Sequence, residues 1–167
     1  VLVHDMKCIE TLARVNVLCV DKTGTITENY MSVSEMIPAS SEIPEEAVYE
    51  LMSDFAAAQN YDNETMTAVK NYFNRPSGLV ALSSTGFSSE FKYSSVTFDR
   101  GAFVLGAPEF ILRDKFNEYR ELIESYSRKG YRVLAFASYS GTINGKALTS
   151  SVVPVCFIIL SNPIREN

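Results

Sequence analysis

Residues 15–27 read Val15-Asn16-Val17-Leu18-Cys19-Val20-Asp21-Lys22-Thr23-Gly24-Thr25-Ile26-Thr27. The first six are β-rich and almost continuously apolar, the pattern of a strand covered on both faces, as in a parallel sheet. The run stops abruptly at a carboxylate. Open α/β sheets place their ligands at that end of a strand. Gly24 removes a side chain, so phosphate oxygens can approach the backbone. Lys22 adds positive charge, and Thr23 and Thr25 add hydroxyls. A carboxylate in such a loop can attack a phosphoryl group and carry it as an aspartyl-phosphate. Mg²⁺ would neutralise the phosphate oxygens, held in part by the Asp21 carboxylate and a loop carbonyl, with Thr23 as the second metal-site candidate.

Upstream, residues 9–14 are helix-compatible. Downstream, residues 30–37 alternate enough for a strand. Ser40-Ser41-Glu42-Ile43-Pro44-Glu45-Glu46 then opens a helix reaching about Gln59, with hydroxyls, a proline in the first turn and acids at the positive end. Residues 63–73 form another helix, opened by Asp62 or Asn63. Pro76-Ser77-Gly78 breaks the chain. From 79 to 105 the pattern is β, with a hairpin turning at Asp99-Arg100-Gly101 between residues 93–98 and 102–105. Residues 108–113 and 115–129 are helical, the second closed by Gly130 behind Arg128 and Lys129. Residues 131–139 and 152–160 are strands. The whole predicts an α+β fold: a twisted, mixed or mainly antiparallel sheet flanked by two helical hairpins. Residues 1–32 read as a stub of an α/β domain, 33–160 as a complete second domain and 161–167 as a return hinge. Both ends read as cut from a longer protein.

The composition excludes several classes. Of 167 residues, 46% are hydrophobic and 21% charged, which is a globular mixture rather than a disordered one. Fifteen Lys and Arg against twenty Asp and Glu give −5, a poor balance for binding nucleic acid or an anionic membrane through overall charge. The longest apolar run, 152–160, contains Pro154 and is about half the length of a membrane helix. The N-terminus does not resemble a signal peptide. Cys8, Cys19 and Cys156 lack metal-type spacing, and the last two lie in apolar runs as buried thiols do. A reduced compartment fits best. The single histidine, His4, reads as a solvated terminal residue.

Asp21-Lys22-Thr23-Gly24-Thr25-Ile26-Thr27 resembles the phosphorylation motif of P-type ATPases, cation pumps of the haloacid-dehalogenase-like superfamily. Many phosphatases of that superfamily carry a second acid two residues after the first. Here Thr23 stands there, which cannot do acid–base work near neutral pH, so the intermediate should be long-lived. The resemblance covers essentially the whole chain. It extends through Ile9-Glu10-Thr11-Leu12-Ala13-Arg14-Val15, Phe87-Ser88-Ser89-Glu90-Phe91-Lys92-Tyr93-Ser94, Leu105-Gly106-Ala107-Pro108-Glu109 and Gly130-Tyr131-Arg132-Val133-Leu134-Ala135. It implies that Phe87 stacks on adenine, Lys92 and Arg132 reach the phosphates, and Gly106 lets its strand pass close to the ligand. It also assigns Thr65 to the nucleotide site. The bland alternatives are core packing for Phe87 and solvated strand positions for Lys92 and Arg132.

The chain departs from the family pattern at four positions. Leu105 replaces a lysine, Phe91 an arginine, Met66 an acid that reads the adenine amino group, and Asn162 the aspartate of an Asp-Pro-x-Arg hinge. The pocket is therefore expected to be more apolar and to rely more on stacking. The His-Pro pair of heavy-metal pumps is missing, and the local wording leans toward bacterial calcium- or divalent-cation pumps. The resemblance implies an ATP-binding fragment of an ion-translocating ATPase with ATP and Mg²⁺ as cofactors. Its other phosphorylation, actuator and membrane domains would be its partners, at the cytoplasmic face of the cell membrane. The fragment itself is expected to be monomeric and inactive. A haloacid-dehalogenase-like phosphatase and a nucleotide-domain relic serving only domain contact are the alternatives.

Overall fold

The computed structural model describes residues 13–17, 19, 28, 30–61 and 63–162. Six strands form one sheet in the order β1-β6-β5-β4-β3-β2, and every neighbouring pair is antiparallel. In chain order the elements are β1 (Ser32–Pro38), α1 (Glu45–Ala57), α2 (Glu64–Tyr72), β2 (Ser83–Thr85), β3 (Tyr93–Phe98), β4 (Gly101–Gly106), α3 (Pro108–Leu112), a 3₁₀ turn (Arg113–Lys115), α4 (Phe116–Arg128), β5 (Arg132–Tyr139) and β6 (Val152–Ser161).

Helices cover both faces of the sheet, which explains the nearly unbroken apolarity of β5 and β6. Leu134, Phe136, Ile158 and Leu160 point into a core with Met52, Phe55, Val69 and Phe73 of the α1–α2 side. Val133, Ala135, Phe157 and Ile159 alternate with them into a second core with Ile111, Leu112 and Ile123 of α3 and α4. A continuous apolar run thus marks a strand buried on both faces, whatever the direction of its neighbours. Phe136 anchors the first core, edge-on to Phe55 at 5.1 Å and stacked with Phe103 at 5.6 Å. Pro154 lacks an N–H and sits where the β5–β6 register shifts, the position at which a strand tolerates proline.

The helix starts follow local chemistry. Asn63 caps α2, accepting the Met66 N–H at 2.8 Å, which decides between the two expected caps. Glu45 and Glu46 occupy the first turn of α1, but Pro44 is its N-cap residue rather than part of the first turn. The Ser40 hydroxyl serves the preceding turn by accepting the Glu42 N–H. The helix expected over 115–129 begins at Phe116, with the 3₁₀ turn before it, and Gly130 follows it at φ +87°. Asp54 is buried and accepts from the Ser77 hydroxyl at 2.6 Å and from the Gly78 and Leu79 N–H groups at 2.9 and 3.2 Å. The break at 76–78 is thereby pinned to α1.

Two expectations fail at the start of the chain. Residues 15–17 and 19 form no strand, and Val15 and Val17 are 48% and 73% exposed. An apolar run becomes a covered strand only where a neighbour supplies hydrogen bonds and packing, and no described strand pairs with it. Cys19 is accordingly exposed. Cys156 is buried as expected, and desolvation raises its thiol pKa. His4 and Cys8 lie outside the described residues.

Candidate functional site

A cleft of about 660 Å³ opens at the end of the sheet where β3 and β5 begin and β4 finishes. Its walls come from the α1–α2 connection and α2 on one side, the segment before β3 on a second, and the start of β5 on a third. Phe87, Lys92, Gly106, Arg132 and Thr65, the five nucleotide-site candidates, all line it. Sequence separations of up to 67 residues are thus closed into one place.

The segment holding Phe87 and Lys92 is a tight turn. The Ser88 N–H donates to the Tyr93 carbonyl at 3.0 Å and the Lys92 N–H to the Ser88 carbonyl at 2.8 Å. The Ser88 hydroxyl accepts the Phe91 N–H at 3.1 Å. Lys92 adopts φ +57°, uncommon for a residue with a side chain. Its carbonyl also accepts the Ala107 N–H at 3.0 Å, so both backbone groups of Lys92 are fixed. Such over-determined strain is typical of functional positions. Phe87 is 45% exposed, with its ring on the cleft wall rather than in either core. That removes the core-packing alternative for Phe87.

Gly106, which lines the cleft, has a packing constraint besides the expected one. A Cβ there would overlap the Lys92 carbonyl oxygen and lie 2.7 Å from the Tyr93 Cα. The missing side chain lets β4 close against the Lys92 turn, so the glycine holds the turn that presents Lys92.

Arg132 is exposed at the first position of β5, and its Nη1 donates to Thr65 Oγ1 at 3.1 Å. The Thr65 hydroxyl faces Met31 Sδ at 3.7 Å. Leu105 and Met66 are both buried against the cleft, and their apolar side chains form its inner wall. Phe91 departs from expectation: it packs against the core under α3 and α4. Only two of the three apolar replacements therefore change the cleft. Asn162 Nδ2 donates to the Tyr30 carbonyl at 3.3 Å, tying together the two strands at which the chain enters and leaves the sheet. Asp21, Lys22 and Thr23 lie outside the described residues.

Sequence reasoning missed Tyr61 and Ser94, which also line the cleft. Tyr61 is half-buried, and burial raises its phenol pKa, partly offset by a hydrogen bond with Ser94. The signal available was weak: a tyrosine two residues before a helix cap, and a serine inside a strand.

Sequence comparison decides the family. The chain is 35% identical over 167 residues to the calcium-transporting ATPase CtpE of Mycobacterium bovis, and the match covers 99% of this chain. It is 34% identical over the same share to the probable cation-transporting ATPase exp7 of Streptococcus pneumoniae. The chain belongs to the P-type ATPase family. It spans about a fifth of the length of these relatives, 21% in each case. No protein-family model matches it. Solved P-type ATPases share the fold. A zinc-transporting PIB-type ATPase in its E2·Pi state superposes with a TM-score of 0.62 at 17% identity, covering 86% of this chain and 21% of that one. The catalytic CPx-ATPase domain CopB-B gives 0.51 at 15% identity, covering 99% and 49%. The likeness is one of fold, a six-stranded antiparallel sheet with helices on both faces. Among the described residues no helix is long and apolar enough to cross a membrane.

Proposed function

We propose that the cleft binds ATP, with Phe87 stacked on adenine and Lys92 and Arg132 directed at the phosphates. The observation that carries this is one exposed aromatic ring and two cationic side chains, from separate segments, on one cleft of nucleotide size. A purine stacked on an aromatic ring gains about 1–3 kcal/mol by analogy with bases bound on aromatic platforms. Arg132 suits phosphate oxygens because its guanidinium is planar, delocalised and always charged. The apolar inner wall of Met66 and Leu105 makes stacking the larger share of the affinity. Domain boundaries near residues 32 and 161 follow on this reading, with the sheet as the nucleotide-binding unit.

In a polypeptide of the relatives' length, Asp21 would take the γ-phosphoryl group. A carboxylate oxygen attacks the γ-phosphorus, the bond to the β–γ bridging oxygen breaks, and ADP leaves with that oxygen. Lys22 offers positive charge beside the transferred group. Thr23, unable to act as a base, leaves the aspartyl-phosphate long enough to be coupled to conformational change. Mg²⁺ would supply charge neutralisation when bound. The residues assigned to it, Asp21 and Thr23, lie outside the described ones, and no group of three or more His, Cys, Asp or Glu among the described residues offers an ion site. The relatives' names extend the proposal to the movement of calcium or another divalent cation, with this unit at the cytoplasmic face of the membrane beside the actuator and membrane domains.

Displacement of a fluorescent ATP analogue tests the binding step. ATP should compete it off the wild-type chain and not off Phe87→Ala. The phosphoryl step is tested in the full-length protein, where γ-labelled ATP should leave an acid-stable label that Asp21→Asn abolishes. Label retained in Asp21→Asn would refute the role of Asp21.

A further inference from the structure

A purine stacked on Phe87 would still have a polar edge to satisfy. Met66 and Leu105 on the inner wall offer it nothing, and a buried polar edge without partners is costly. Several polar groups in the cleft are already committed. Asn63 Oδ1 caps α2 through the Met66 N–H. The Thr65 hydroxyl accepts from Arg132. Lys92 and Arg132 are cations suited to phosphate.

Glu109, Ser127 and Tyr131 also line the cleft, but two further hydroxyls stand at its apolar inner wall, Ser94 opposite Leu105 in the β3–β4 pairing and Tyr61 beside it. Ser94 is 1% exposed, yet its one backbone acceptor, the Leu105 carbonyl, is 3.5 Å away, at the limit of a hydrogen bond. Beyond that long contact and its hydrogen bond with Tyr61, the Ser94 oxygen keeps accepting capacity for a ligand. Tyr61 stands beside it. The Tyr61 ring lies over Gly86, with 3.3 Å between Cδ1 and a Cβ built there, which fixes it next to Phe87. A phenol is protonated at neutral pH, burial only pushes its pKa further up, and the Tyr61 hydroxyl is hydrogen-bonded with that of Ser94.

We propose that Tyr61 and Ser94 form the base-reading pair of this cleft, their hydroxyls meeting the purine edge while Phe87 takes its face. The proposal rests on the ATP-site reading above. Each hydroxyl both donates and accepts. The pair can therefore satisfy a 6-amino group beside N1, or a 6-oxo group beside an N1–H. A lone carboxylate, which only accepts, cannot do both. The ligand class is accordingly purine nucleoside triphosphates, with weak discrimination between amino and oxo bases.

Calorimetric titration tests this with ATP, GTP and purine riboside triphosphate, which has no 6-substituent. The proteins are the wild-type chain, Tyr61→Phe, Ser94→Ala and Phe87→Ala. Tyr61→Phe keeps the ring over Gly86, and melting curves check that each variant is folded. Wild type should bind ATP and GTP within about fivefold of one another. It should bind the unsubstituted purine about three- to tenfold more weakly, as expected for one neutral hydrogen bond. That gap should shrink below twofold in Tyr61→Phe and in Ser94→Ala. An unchanged gap in both variants, or a hundredfold preference of wild type for ATP over GTP, would overturn the pair while leaving the ATP site standing. Absence of all nucleotide binding, or undiminished ATP binding by Phe87→Ala, would overturn the ATP site and the pair together.

Discussion

Arg132 Nη1 donates to Thr65 Oγ1 over 3.1 Å, joining the first residue of β5 to the first turn of α2 across one end of the cleft. Arg132 is exposed and Thr65 only half-buried, so the bond itself contributes little to stability. A phosphate oxygen would be a stronger acceptor for the guanidinium than the threonine hydroxyl.

Arg132→Ala should therefore leave the melting temperature nearly unchanged and weaken ATP roughly tenfold or more, the cost of a charge-assisted hydrogen bond. Adenosine, which lacks phosphates, should lose little. Parallel calorimetry with the two ligands makes the comparison. An equal loss for both would mean that Arg132 acts on the base or on folding.

Gly106→Ala forces a methyl group into the Lys92 carbonyl and the Tyr93 backbone. Backbone cannot swing aside as a side chain can. We expect a destabilisation of roughly 1–3 kcal/mol, as for overpacked cores, read as a lower urea midpoint. Nucleotide affinity should fall with it, because Lys92 moves.

Asp54→Ala removes the acceptor for the Ser77 hydroxyl and for the Gly78 and Leu79 N–H groups. Bonds to a charged acceptor of this kind make the expected loss roughly 2–3 kcal/mol. Hydrogen exchange should rise first at residues 77–79, ahead of the sheet.

Tyr139 supplies a pH dependence. Burial raises its pKa, but the Thr149 and Ser150 N–H groups donate to its oxygen at 3.2 and 3.3 Å, and the balance lowers it from 10 to about 8. Between about pH 8 and 10 the native tyrosine is ionised and the unfolded one is not. The unfolded state then binds more protons, so this group's stabilisation grows as pH rises through that window and is lost as pH falls through about 8. Absorbance at the phenolate band should show one of the nine tyrosines titrating near pH 8, and Tyr139→Phe should remove it.

Much of this was legible in the sequence because local chemistry carried it. The hairpin at Asp99-Arg100-Gly101, the cap at Asn63 and the stop at Gly130 each depend on a few adjacent residues. The direction of the central strands was less legible, because an apolar run reports that both faces are covered and nothing about the neighbours. Residues 15–17 show the limit of such patterns, since they remain exposed without a paired strand. In the site, Phe87, Lys92, Gly106, Arg132 and Thr65 were legible through family resemblance. Tyr61 and Ser94 were not, because they enter the cleft only through tertiary placement. Gly106 carries a second constraint that was not legible: its close neighbour is the Lys92 carbonyl, which only the paired strands reveal.

The central claim is that this cleft is a nucleotide site with Phe87 as its platform. An amide-resolved NMR titration with ATP, run beside Phe87→Ala, tests it most directly. The account predicts shifts clustered at Phe87, Lys92, Gly106, Arg132 and Thr65 that vanish in the variant. No response at millimolar ATP, or shifts elsewhere that survive in Phe87→Ala, would contradict it.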